Sequence, residues 1–323
     1  MVTSKDVAQK AGVSHATASR AFTNPELVSE KTLKKILKAA EELDYVPNTL
    51  AASLKSSQPN SVGFIISNIR NSFFTDIAHK LQKQLYLLDM NFMVGLSDEN
   101  VEEELKCILS QISYRVSVIL FTPSAYSKAI ETKIKRAHGI RFIQLFRNCY
   151  PDADSLIIDD RKGSEYATKI FLKKGYKRIL MLDGDSELPT YRRAGYLDAF
   201  EKAGLKPDER FIKSLPLSGD VTGEIGCYID ELKPDGIIAV SEFLTAKTVE
   251  TLKMKGMEIG KDIGLVAYDD SLTAQALGIT AIGHDEEAII SEIQNLMHQA
   301  IAGREARVHR VMNPVIIERN SVF

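Results

Sequence analysis

The chain opens, after two residues, with Thr3-Ser4-Lys5-Asp6-Val7-Ala8-Gln9-Lys10-Ala11-Gly12-Val13-Ser14-His15-Ala16-Thr17-Ala18-Ser19-Arg20-Ala21-Phe22, the pattern of two short helices and a tight turn. Thr3 followed three residues later by Asp6 is a helix-start signal. Val7, Ala8 and Ala11 recur at helical spacing, and Gly12 supplies the stop. Ser14 caps a second helix, His15 to Phe22. Ala18, Ala21 and Phe22 mark its inner face, and His15, Ala16, Thr17, Ser19 and Arg20 its outer one. A third helix starts at Ser29, with Leu33, Ile36, Leu37, Ala40 and Leu43 inward and Lys31, Lys34, Lys35 and Lys38 outward. Two short helices joined by a Gly-containing turn and closed by a third form a helix-turn-helix unit. The small outer residues of the second helix suit a major groove about 12 Å wide.

Charge points the same way. The 323 residues are 44% hydrophobic and 26% charged, with a formal net charge of −2. Of the 41 Lys and Arg and 43 Asp and Glu, eight and six fall within residues 1–57, giving +2 there and −4 in the remainder. The N-terminal segment is therefore the place to look for a polyanion.

The composition excludes a disordered tail, a collagen-like chain and a disulfide-stapled miniprotein. Cys107, Cys149 and Cys227 lie far apart without metal-ligand spacing, so neither a disulfide framework nor a metal site is expected. No apolar run approaches the roughly 18 residues of a membrane span. The opening residues lack the apolar core of a signal peptide, so a reducing cytoplasm is the expected location.

Beyond the third helix, Tyr45-Val46-Pro47-Asn48-Thr49-Leu50-Ala51-Ala52-Ser53-Leu54-Lys55 reads as a two-turn helix, ended by Ser56-Ser57-Gln58-Pro59-Asn60. A segment so short folds only when something holds it. Ala51 permits close approach of a symmetry mate, and Leu54 is sized to wedge between base pairs from the minor groove. Alternating strands and helices follow. Val62–Ile66, Phe92–Val94, Val118–Phe121 and Phe142–Leu145 form one series of strands. A second begins near Leu156–Ile158 and continues through Arg178–Leu182, Gly236–Val240 and Ile263–Ala267. The pattern predicts an α/β fold with two doubly wound parallel-sheet subdomains. A ligand cleft is expected beyond the carboxyl ends of their strands.

Val7-Ala8, Ala11-Gly12-Val13-Ser14, Thr17, Ser19-Arg20, Val28-Ser29 and Tyr45-Val46-Pro47-Asn48 with Ala51 and Leu54 together resemble the lactose/galactose repressor family. In the longer part, Ile69-Arg70-Asn71-Ser72-Phe73-Phe74, Arg192 with Gly195-Tyr196, Tyr268-Asp269-Asp270 and Glu318-Arg319-Asn320-Ser321 fit the same family. The resemblance implies a helix-turn-helix head over residues 1–46, a hinge helix and linker over 47–60, and a periplasmic-binding-protein type core over 61–323. The first lobe would take about 61–159 and part of 286–323, and the second about 160–285. It further implies a cytoplasmic homodimer on operator DNA, controlled by a small-molecule effector, sugar-like, between the lobes.

By position, His15, Ala16 and Arg20 would face base edges, and Ser14, Thr17, Ser19, Thr23, Ser29 and Thr32 would meet phosphates. Thr3, Asn48, Ala51, Leu54 and Lys55 complete the expected DNA-facing set. Thr23 replaces a usual Asn, and Ala52 a frequent Arg. The expected effector set is Phe73, Phe74, Phe146, Arg192, Val221, Ser241, Glu242, Asp269 and His284. Five family positions differ here. Phe146 stands for a frequent Asp, Val221 for an aromatic, Ser241-Glu242 for Asn-Asp, and His284 for Gln. Three explanations stay open: an atypical small ligand, a protein partner, or little dependence on any effector. The sequence contains no GxGxxG after a strand, GxxxxGK[ST], HExxH or GxSxG. Neither catalysis nor a cofactor is expected, and a sugar-transport receptor would have no use for residues 1–57.

Overall fold

The computed structural model describes residues 2–46, 61–185, 191–304 and 306–323. It divides into two units, Met1–Asn60 and Ser61–Phe323. In the first unit, α1 (Ser4–Ala11) starts at Thr3 in a capping box with Asp6 and ends at Gly12, whose φ of 67° is left-handed. Such a φ is cheap for glycine and costly for other residues. Ser14 caps α2 (His15–Thr23) by accepting from Thr17 N, and Ser29 caps α3 (Glu30–Glu42) by accepting from Thr32 N. Val7, Ala8, Ala18, Ala21, Ile36, Ala39 and Ala40 form the core, with Phe22, Leu33, Leu43 and Tyr45 packed around it. Small alanines let the three helices approach closely. Leu37 departs from the expected inner face: it is 49% exposed, because the buried stripe of α3 runs through Ile36, Ala39 and Ala40 instead.

The second unit holds two lobes. The first contains β1 (Ser61–Ile66), α4 (Ser72–Leu87), β2 (Asn91–Leu96), α5 (Val101–Ser113), β3 (Val118–Phe121), α6 (Lys128–Arg136), β4 (Arg141–Leu145) and β5 (Asp154–Ile158). The chain then crosses to α7 (Asp160–Lys173), β6 (Ile179–Gly184), α8 (Arg192–Lys202), β7 (Ile212–Leu215), α9 (Thr222–Leu232) and β8 (Gly236–Ala239). The second lobe continues through α10 (Glu242–Met254), β9 (Gly264–Tyr268), α11 (Leu272–Ala276) and β10 (Thr280–Gly283). α12 (Glu286–Ile301) and β11 (His309–Met312) return to the first lobe, and β12 (Val315–Ile317) closes the second. The strand orders are β11-β5-β4-β3-β1-β2 and β12-β10-β9-β8-β6-β7. Among the described residues every strand pairing is parallel except β12 against β10.

Strand alternation distributes the apolar side chains to both faces of each sheet. In the first lobe, Val62, Phe64, Leu120 and Ile143 face α4 and α12, which contribute Ile77, Leu81, Ile289 and Ile293. Ile65, Ile119 and Phe142 face the other way, onto Ile108 of α5 and Ile130 of α6. The second lobe buries one larger cluster around Leu180, Ile238, Val266 and Ile282.

Two expectations about strands change. Leu156–Ile158 belongs to the first sheet, between β4 and β11, and does not open the second series. β7, β10, β11 and β12 carry no long apolar run, and the periodicity did not reveal them. β11, His-Arg-Val-Met, is an exposed edge strand whose ladder to β5 depends on register rather than on side-chain burial.

The motif residues near the C-terminus are explained by packing. Ser321 Oγ accepts from Thr280 N at 2.8 Å and donates to Leu265 O at 2.5 Å. Arg319 grips Asp270 with both Nη atoms, at 2.6 and 2.9 Å.

Candidate nucleic-acid interface and interlobe cleft

The outer face of α2 presents His15, Ala16 and Arg20 exposed, with Thr17, Ser19 and Thr23 half-buried. Among the described residues the Arg20 guanidinium has no hydrogen bond or ion pair, so its planar five-donor fork is available to a bidentate acceptor. The hydroxyls assigned to phosphates are already at work within the head. Ser14 Oγ accepts from Thr17 N at 3.1 Å and lies 2.8 Å from Thr17 Oγ1. Ser29 Oγ and Thr32 Oγ1 repeat this arrangement at 2.8 Å, and Thr23 Oγ1 donates to Ser19 O at 3.2 Å. They order the helix ends, and each oxygen keeps further acceptor capacity. Thr3 is committed to the capping box with Asp6. One contact was missed from sequence: Ser4 Oγ lies 2.9 Å from His15 Nε2, joining the start of α1 to the start of α2. Helical periodicity carries no signal for a pair eleven residues apart across a turn. Asn48, Ala51, Leu54 and Lys55 lie outside the described residues.

In the core, the carboxyl ends of the strands bring together most of the expected effector residues. Phe146 follows β4 with φ 68°, and Asp269 follows β9 with φ 63°. Non-glycine residues held in this left-handed region cost about 1–3 kcal/mol and concentrate at functional sites. Phe146 packs edge-on against Phe73, with ring centroids 4.8 Å apart, and 5.7 Å from Phe74. The His284 ring lies 4.5 Å from that of Phe73, centroid to centroid. Its Nε2 is 2.9 Å from Asp269 Oδ1, while Asp269 Oδ2 accepts from Asn71 Nδ2 at 3.2 Å. Burial pushes the Asp269 carboxyl up, but His284, Arg192 and Asn71 more than offset it and hold the group below the usual carboxylate range. An ionised Asp269 places the shared proton on His284 Nε2.

Arg192, the first residue of α8, stacks 4.3 Å from the Tyr268 ring. It donates to Val240 O at 2.6 Å and to Asp160 Oδ1 at 3.2 Å. Burial opposes its charge, yet Asp160, Tyr268, Asp269 and Asp183 around it raise its pKa above the ordinary value. Tyr268 Oη in turn donates to Asp160 O at 3.0 Å. Glu242 Oε2 accepts from Ser72 N at 2.8 Å, a bond from the second lobe to the first. Ser241 caps α10 by accepting from Leu244 N. Val221 does not join this group: at 2% exposure it packs into the second lobe's core just before α9. Asn71, Asp160 and Tyr268 are the partners that sequence reasoning had not assigned. Asn71 and Tyr268 fall within motifs that carry the family resemblance, whereas Asp160, just past β5, had no motif to mark it.

Among the described residues, no group of three or more His, Cys, Asp or Glu is placed to hold a metal, and no helix is long and apolar enough to cross a membrane. The model for bacterial regulatory proteins of the lacI family matches residues 3–48, and that for a periplasmic binding protein-like domain matches residues 168–322. The transcriptional regulator RegA of Clostridium saccharobutylicum is 28% identical, over 99% of this chain and 98% of its own length. The repressor PurR of Vibrio atlanticus is 26% identical, over 100% and 99%. The lac repressor dimer bound to operator and the anti-inducer ONPF has a similar structure, with TM-score 0.84 at 20% identity over 99% of this chain and 98% of that one. The regulator CelR in complex with cellobiose has TM-score 0.72 at 22% identity, over 99% and 100%. At these identities the structural likeness speaks to the fold. The head, the two-lobed core and the matched relatives converge: the chain joins a DNA-binding domain of the lacI family to a periplasmic binding protein-like domain, and it is similar over its whole length to transcription regulators.

Proposed function

We propose that this protein is a cytoplasmic homodimeric repressor that binds a near-palindromic operator through residues 1–46 and releases or gains DNA affinity when a sugar-like small molecule enters the interlobe cleft. The observation that carries the reading is the outer face of α2, where His15, Ala16 and Arg20 stand exposed on a helix fixed by Ser14. Arg20 pairs with a guanine, His15 and Ala16 read neighbouring bases, and the hydroxyls of Ser14, Thr17, Ser19, Thr23, Ser29 and Thr32 set the head against phosphates. Residues 47–60 act as the hinge, with Leu54 as the minor-groove wedge. The effector works through its different affinities for two arrangements of the lobes. No catalytic step and no cofactor enters this reading.

Selection of binding sites from a random duplex pool tests it, with the full chain and with Arg20→Ala. A symmetric consensus is expected for the wild type. The variant should lose about 1–3 kcal/mol of discrimination at one base pair in each half-site. An unchanged profile removes the Arg20 assignment, and the absence of any consensus removes the reading. A second reading, control by a protein partner or by little effector at all, draws on the Asn71–Asp269 and Ser72–Glu242 bonds that already join the lobes.

A further inference from the structure

The amino end of α4 opens into the cleft with Asn71 as its N-cap. A helix amino end gathers unpaired N–H groups and partial positive charge, and it ordinarily welcomes an anion. Here two carboxylates of the opposite lobe already occupy it. Glu242 Oε2 accepts from Ser72 N at 2.8 Å, and Asp269 Oδ2 accepts from Asn71 Nδ2 at 3.2 Å. Among the described residues Glu242 has no cationic partner. Arg192, whose charge acts on Asp269, is engaged through its Nη atoms by Asp160 and Val240 O and lies over the Tyr268 ring, while its buried Nε has no partner among the described residues. Asp160, Asp183, Glu242 and Asp269 thus outnumber Arg192 on the second-lobe side.

Beside them, buried Phe73 and Phe74 and half-buried Phe146 pack together as an apolar wall. A further group points to what kind of ligand fits. The His284 side chain is only 7% exposed, and its Nδ1 has no partner among the described residues. With the proton on Nε2, Nδ1 accepts, and a ligand hydroxyl or N–H can donate to it.

We infer that the cleft selects an uncharged or amine-bearing sugar and rejects phosphorylated and carboxylated ones, and that Glu242 sets this charge preference. The inference rests on the effector reading of the cleft. A sugar ring lays its C–H face on the phenyl wall and donates hydroxyls to Asp269 and His284 Nδ1, and an amine gains from the surplus carboxylates. A phosphate approaching the same helix end meets Glu242 where its own binding site would be, with Asp269 beside it.

Thermal-shift and calorimetric titration of the full chain test this. The probes are neutral hexoses and disaccharides, glucosamine-type amino sugars, and hexose 6-phosphates. Neutral or amino sugars are expected to raise Tm and phosphates to leave it unchanged. Glu242→Gln retains an oxygen for Ser72 N and removes the charge, so it should improve hexose phosphate affinity about tenfold or more. Glu242→Asp, which keeps the charge, should continue to exclude phosphates, and it controls for a folding defect in the first variant. Wild-type binding of a hexose phosphate, or an unchanged phosphate affinity in Glu242→Gln, overturns the charge preference alone. No response to any probe overturns it too and counts against the cleft as a sugar site, while operator selection by the head stays a separate measurement.

Discussion

Glu104 is fully buried near the start of α5, with Oε2 accepting from Ser124 N at 2.6 Å. Burial pushes its carboxyl up to about 7, against the pull of the Ser124 N–H and the Arg147 charge. Its folded-state pKa therefore lies above the ordinary 4.5, and the folded chain binds the proton more tightly than the unfolded one. That contribution is complete below the unfolded value and declines as pH rises from there through about 7, by at most about 3 kcal/mol. Glu104→Gln should raise Tm at pH 8 and lose its advantage at pH 5. Equal shifts at both values, by calorimetry, would exclude a buried carboxyl as the cause. Other residue-scale features were readable from neighbours alone. The caps Thr3, Ser14 and Ser29 and the stop at Gly12 follow from local backbone chemistry. Leu37 was not readable, because which side of α3 is buried depends on where α1 and α2 sit.

The helix pair α7 and α8 shows how one residue fixes an element's position. A Cβ on Gly195 would stand 1.9 Å from Arg161 O and 2.9 Å from Glu165 N, both backbone atoms that cannot step aside. Gly195→Ala should force the helices apart and cost about 2–3 kcal/mol, read as a lowered urea midpoint. Gly223→Ala in α9 is the control, since its Cβ would meet nothing within 4 Å. No loss is expected there, and a comparable loss in both would dismiss the close-packing explanation. Strands with long apolar runs, such as β1, β3 and β9, were evident from sequence because both of their faces are buried. β7 and β11 are edge strands with mixed side chains, β12 is an edge strand of only three residues, and β10 has just Ala281 and Ile282 between Thr280 and Gly283. Their identity comes from the neighbour that offers a ladder, which no local window contains.

At the scale of the whole molecule, the head is only mildly basic, so sequence-independent attraction to DNA is moderate. In the proposed reading, operator affinity then leans on dimerisation, groove contacts and the hinge. Leu54→Ala is expected to weaken operator binding roughly tenfold while leaving the Tm of the core unchanged. Fluorescence anisotropy on the selected operator checks it, and unaltered affinity would remove the wedge. The sequence by itself determined the three-helix head, its exposed Arg20 and the alternation of strands and helices, because caps, stops and periodicity are set within a few residues along the chain. Only the tertiary structure decided that β11 pairs with β5 at the edge of the first sheet, that Val221 is core, and that Arg192 is held by Asp160. It also decided that Glu242 sits on Ser72 and Asp269 on Asn71, pairs separated by 170 and 198 residues. Such contacts arise from three crossings between lobes, which bring distant strand ends to one cleft and so set its charge.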